Sequence, residues 1–78
     1  MKITVFQQDK QIKITFQQGN VVDNYVIDKA DDFLLTLDRF LKKSTMDITV
    51  LKKANLKFVN VSILTERIIR AIIAGLRF

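Results

Sequence analysis

The chain contains no cysteine, no histidine, no tryptophan and no proline, and only two of its 78 residues are glycine. Each absence removes a class of chemistry. Without cysteine or histidine there are no disulfides, no zinc site of the usual ligand types and few routes to a transition metal. The same gap excludes Ser-His-Asp and Cys-His nucleophilic arrangements. Two isolated glycines, Gly19 and Gly75, cannot build a glycine-rich phosphate loop. No apolar run approaches the ~20 residues of a membrane span. The opening Met1-Lys2-Ile3-Thr4-Val5-Phe6 lacks the apolar core of a signal peptide. A cytoplasmic location is therefore expected. With no proline and no low-complexity stretch, no linker is visible, and residues 1–78 read as a single domain.

What the chain does have is apolar mass. Hydrophobic residues make up 49% of it, while a domain of this size buries only about 60% of its unfolded surface. Lacking covalent or metal staples, it must rely on a dense core and on association. Charge is unevenly placed within a net of +5: residues 1–38 hold four basic and six acidic side chains, residues 39–78 nine and two. A basic half points to phosphate or to an acidic protein surface, or to a solvated face that keeps an apolar chain soluble.

Periodicity supplies the elements. Lys2–Phe6 and Gln11–Phe16 alternate in the manner of half-buried strands, and a third strand spans about Val21 to Ile27. The connections Gln7-Gln8-Asp9-Lys10 and Gln17-Gln18-Gly19-Asn20 are short, which makes an antiparallel meander. Ile3, Val5, Ile12, Ile14 and Phe16 share the face expected to be covered; Lys2, Thr4, Gln11, Lys13 and Thr15 share the other. Asp31 or Asp32 is expected to cap a helix whose buried stripe is Phe33, Leu34, Leu37, Phe40 and Leu41, with Leu35 on its polar side. Residues 48–53 read equally as strand or helical turn. Leu56–Val61 reads as a fourth strand, and Ser62 or Thr65 as the cap of a last helix ending near Gly75 or Leu76. The order is βββαβα, an α/β (α+β) unit with both helices on one sheet face and the fourth strand parallel to the first.

The last helix has a narrow polar side, Glu66, Arg67, Arg70 and Arg77, and an apolar arc through Ile68, Ile69, Ala71, Ile72, Ile73, Gly75 and Leu76. That arc exceeds the stripe of roughly 100° that one sheet face requires. A second buried surface is expected, filled by the first helix or by a partner. Ala71 and Gly75, four apart on its edge, permit close approach of another backbone.

No cluster suits catalysis. Asp31-Asp32 reads as a helix start. Phe6, Phe16, Phe33, Phe40 and Phe58 all sit at core-compatible positions, so the basic residues lack the aromatic interleaving of a single-strand binder. An RNA contact through Arg39, Lys42, Lys43, Lys52, Lys53 and Lys57 remains an alternative reading, as does a homodimer through the last helix.

The segment from Ser62 to Leu76 resembles GPGSFTGxRIGxxxAxGLA of the bacterial TsaB (YeaZ) family, with Ser62, Arg67, Ile68, Gly75 and Leu76 in register. Val59-Asn60-Val61 stands where the family has Gly-Pro-Gly, and Phe6-Gln7-Gln8-Asp9 where it has an Asp-Thr-Ser/Thr turn. The resemblance covers the N-terminal half of such proteins. It implies an actin-like (ribonuclease-H-like) half-domain without a cofactor. It also implies a non-catalytic partner that binds a TsaD-type enzyme through its helices in tRNA threonylcarbamoyladenosine modification. The interface so implied comprises Arg67, Ile68, Ala71, Ile72 and Gly75 with Leu35 and Arg39, and tRNA contact through the complex is conceivable from the basic half.

Overall fold

The computed structural model describes residues 1–76; Arg77, expected on the polar side of the last helix, lies outside the described residues. Three strands, β1 (Lys2–Gln8), β2 (Gln11–Gln18) and β3 (Val21–Ile27), form the antiparallel meander. Helix α1 (Phe33–Lys43), strand β4 (Asn55–Val59) and helix α2 (Ile63–Leu76) follow. The sheet order is β3-β2-β1-β4, with β4 parallel to β1. This is a mixed α/β unit: one four-stranded sheet and two helices.

The strands run longer than the sequence alone suggests because their turns are tighter. Gln8 pairs with Gln11 and Gln18 with Val21, leaving two-residue connections. The first residue of each, Asp9 at φ 56° and Gly19 at φ 58°, takes the left-handed conformation. Asp tolerates that region better than most residues and Gly carries no penalty there. Strand β4 starts one residue earlier than expected and stops two earlier. Asn60 at φ 53° turns the chain out of the ladder.

Alternation decides the core. Ile3, Val5, Ile12, Ile14 and Phe16 are all buried, and Phe33, Leu37, Phe40 and Leu41 of α1 meet them together with Ile69 and Ile73 of α2. Both helices therefore cover the same sheet face. Three expectations change. Leu34 is not in the buried stripe but 47% exposed; Thr36 takes the inner position instead, its hydroxyl donating to the Asp32 carbonyl at 2.9 Å. Neither Asp31 nor Asp32 caps α1 with its side chain. A 3-10 turn over Ala30–Asp32 leads into the helix, so its backbone carbonyls accept the first N–H groups, as Lys29 does from Asp32 at 3.0 Å. Phe6 is not in the core. It shares strand parity with Lys2 and Thr4, and lies half-buried on the uncovered face.

Residues 48–53 are neither strand nor α-helix but a 3-10 segment, Ile48–Lys53, whose Leu51 seals the end of the core. Ser62, not Thr65, caps α2: its Oγ accepts the Thr65 N–H at 3.2 Å and donates to the Thr65 hydroxyl at 2.8 Å. The Ser62 N–H in turn donates to the Gln7 side chain at 2.9 Å, tying the start of α2 to the end of β1.

Helix α1 ends in a Schellman arrangement. The Met46 N–H donates to the Leu41 carbonyl at 2.9 Å and the Thr45 N–H to that of Lys42 at 3.2 Å. The left-handed position of this motif, usually glycine, is Thr45 at φ 52°. A β-branched residue is strained there. Thr45→Gly should therefore raise unfolding stability by about 1 kcal/mol, read as a higher urea midpoint with an unchanged denaturant slope. A lower midpoint would show that Thr45 is held by contacts that outweigh the strain.

Candidate functional site

Three surfaces carry chemistry. The first is a groove along the helical layer. On α2, the inward residues Thr65, Ile69 and Ile73 are buried. Helical spacing places Glu66 and Arg70 on one flank and Leu64, Ile68, Ala71 and Gly75 on the other. The Arg70 guanidinium lies 4.8 Å from the Phe58 ring centre of β4 and bonds Glu66 at 3.1 Å, so that flank faces the β4 edge. The opposite flank, with Ala71 and Gly75, faces α1. There Leu34, Leu35, Asp31 and Asp38 from the α1 side join Ile48 and Leu76 around a groove of about 530 Å³.

Of the expected interface residues, Leu35 lines this groove. Leu35 is 53% exposed on its wall. Ala71 and Gly75 are exposed, and a Cβ added at Gly75 would meet nothing within 4 Å. Ile68 and Ile72 are partly buried against the core. Arg67 is exposed beside them. Arg39 is not part of the groove. It lies one turn beyond Leu35 on the same exposed face of α1, and its charge acts on Tyr25.

The second surface is a clasp between α1 and β3. The Lys43 Nζ lies 3.5 Å from the Asp23 carboxylate, which also receives the Tyr25 hydroxyl at 3.5 Å. Burial, reinforced by the Asp23 charge and hydrogen bond, pushes the Tyr25 phenol above its ordinary value, against the opposing pull of Lys43 and Arg39.

The third is the uncovered sheet face, where Lys57 lies on β4. The six expected RNA-contact residues do not form one patch. Lys43 is tied to the β3 edge while Lys57 sits on β4, the opposite edge of the sheet. Lys42 pairs with Asp38 at 3.1 Å. Lys52 and Lys53 line a separate depression with Met1 and Gln18. What the sequence reading passed over is Phe6, and its parity with Lys2 and Thr4 was the available signal.

Among the described residues no three carboxylates come close enough to hold a metal ion, and no helix is long and apolar enough to cross a membrane. No protein-family model matches the chain, and no curated protein or solved structure matches it.

Tyr25 is the chain's single tyrosine, with no tryptophan present, so its titration is read directly by tyrosinate absorbance. A phenol raised in the folded state holds its proton where the unfolded chain has lost it. Its contribution is full below about pH 10 and declines as pH rises through the folded value. Native protein should titrate above its urea-unfolded form. Tyr25→Phe should flatten the alkaline loss of stability, and coincident titration curves would remove the Asp23–Tyr25 clasp from the account.

Proposed function

We propose that this chain is a non-catalytic association subunit whose helical groove receives a helix of a partner protein. The observation that carries the reading is the groove itself. Leu34, Leu35, Ile48 and Leu76 leave apolar surface open beside α1, and Ala71 and Gly75 are exposed on α2, the helix that supplies Leu76. An apolar helix laid there buries surface at about 25 cal/mol per Å², and the small residues let its backbone approach closely. Asp31 and Asp38 line the groove on the α1 side, giving the partner's orientation a charge signature.

The TsaB-like motif from Ser62 to Leu76 names the candidate partner: a TsaD-type enzyme of tRNA threonylcarbamoyladenosine modification. The strand order β3-β2-β1-β4 with β4 parallel to β1 supports this reading, since it is the order an actin-like half-domain requires. A second copy of the chain is the competing occupant.

Light scattering of the chain with a TsaD-type protein from the same organism should give a defined complex. Gly75→Leu should weaken it more than tenfold, while Gly75→Ala, which adds only a Cβ into open space, should fold at least as stably as the parent. Full affinity in a folded Gly75→Leu variant would place the interface elsewhere. A homodimer indifferent to the TsaD-type protein would overturn the partner assignment.

A further inference from the structure

Among the described residues nothing covers the sheet's second face, and its composition is specific. Register places Val26, Lys13, Phe6 and Val59 in one row across all four strands. The next row is Asn24, Thr15, Thr4 and Lys57. Between them lies a shallow depression of about 240 Å³ lined by Phe6, Lys13, Thr15 and Asn24 among others. The Thr15 hydroxyl donates to the Asn24 side-chain oxygen at 2.7 Å, which leaves the Asn24 amide nitrogen as a donor beside the depression. Lys2, Lys13 and Lys57 are the charged residues whose parity puts them on this face; no carboxylate shares it. All three lysines are exposed, and none is in an ion pair among the described residues.

We infer that this face binds single-stranded nucleic acid, with an unpaired base on Phe6 and phosphates on Lys2, Lys13 and Lys57. Lys13 stands directly opposite Phe6 on β2, about 5 Å away, and Lys57 is its diagonal neighbour on β4, about 7–8 Å away. A half-buried ring held in a sheet is a fixed stacking platform of the kind that accepts any base by its π-face. A duplex offers no unstacked base to such a ring, which selects single strands. The Asn24 amide adds a donor for a base edge or a phosphate. A second copy is a poor occupant, because two-fold pairing of this face sets lysines against a face that holds no carboxylate. The assignment is independent of the helical groove, which lies on the other side of the sheet.

Fluorescence anisotropy with labelled oligouridylate, oligothymidylate and a matched duplex, using the chain alone at low salt, tests it. Both single strands should bind more tightly than the duplex, and their relative affinities separate RNA from DNA as the source. The logarithm of the affinity should fall with the logarithm of salt with a slope near −2, as expected at about 0.7 for each of three phosphates. Phe6→Ala should weaken binding about tenfold, and Phe6→Leu, which keeps apolar volume in the row, should do the same with an unchanged circular dichroism spectrum. Lys13→Glu should remove binding. Absence of binding by the unaltered chain would overturn the inference. So would full binding by folded Phe6→Leu and Lys13→Glu with loss in Lys42→Glu, which would move the contact to the helical layer. A Phe6-dependent dimer in light scattering would assign the face to a second copy instead.

Discussion

The ring of Phe16 is where the fold is joined. It stacks on Phe40 with centroids 4.9 Å apart and planes 18° from parallel. It also meets Phe33 at 6.1 Å and the edge of Tyr25 at 5.7 Å. Through one side chain, strand β2 is bound to its neighbour β3 and to both ends of α1. A domain of this size is stabilised by only about 0.05–0.15 kcal/mol per residue, so such a cluster is a large share of the total. Once α1 is fixed over β2 and β3, the remaining half of the apolar face, Ile3 and Val5, has to be covered by something else. Helix α2 does this with Ile69 and Ile73, and its approach is set by β4, whose parallel pairing with β1 delivers the chain to the correct end of the sheet.

Each helix is then pinned at an outer margin by a long cationic side chain. Lys43 reaches Asp23 on the β3 edge; Arg70 lies over Phe58 on the β4 edge. Both contacts are partly exposed, and a cation over a ring at such a site contributes about 0.5–1 kcal/mol. Their positional consequence is larger than their energy. They commit the polar flanks of α1 and α2 to the edges, so the flanks that face one another are the apolar ones. The open groove between Leu35 and Leu76 follows from where the charges were placed.

Much of this was legible in the residues. The two-residue period of Gln11–Phe16 gave β2 its inner face, and the short turns gave the meander and its pairing. The wide arc of α2 leaves Ile68, Ile72 and Leu76 partly buried, and Ala71 and Gly75 are exposed. What was not legible has physical causes. Leu34 and Thr36 exchange roles because the helix enters from a 3-10 turn, so its inward direction is rotated from that of a stripe chosen by hydrophobicity alone. The same turn removes the need for an aspartate cap. Residues 48–53 carry too few alternations to distinguish extended from helical backbone, and their 3-10 form depends on Leu51 reaching the core. Arg39 lies one turn beyond Leu35 on the same exposed face of α1, yet it does not line the groove. Phe6 was misjudged by residue type, although the alternation that buried Ile3 and Val5 had already placed it outside.

That last case also changes how the charge should be read. Counting along the chain divides it into an acidic first half and a basic second half, and suggests that any cationic surface comes from residues 39–78. The sheet ignores that division. Lys2 and Lys13 come from the acidic half and Lys57 from the basic half, yet strand parity and register bring them to one face, while parity sends Asp23 to the other. The nearby carboxylates Asp31 and Asp38 are gathered instead on the helical groove. The two open surfaces of the molecule thus have opposite character: an apolar groove with a largely acidic α1 rim, and a polar, cationic sheet face with an aromatic ring near its middle. Such a separation across a single sheet suits a small subunit that holds a protein partner on one side and leaves the other side to a polyanion.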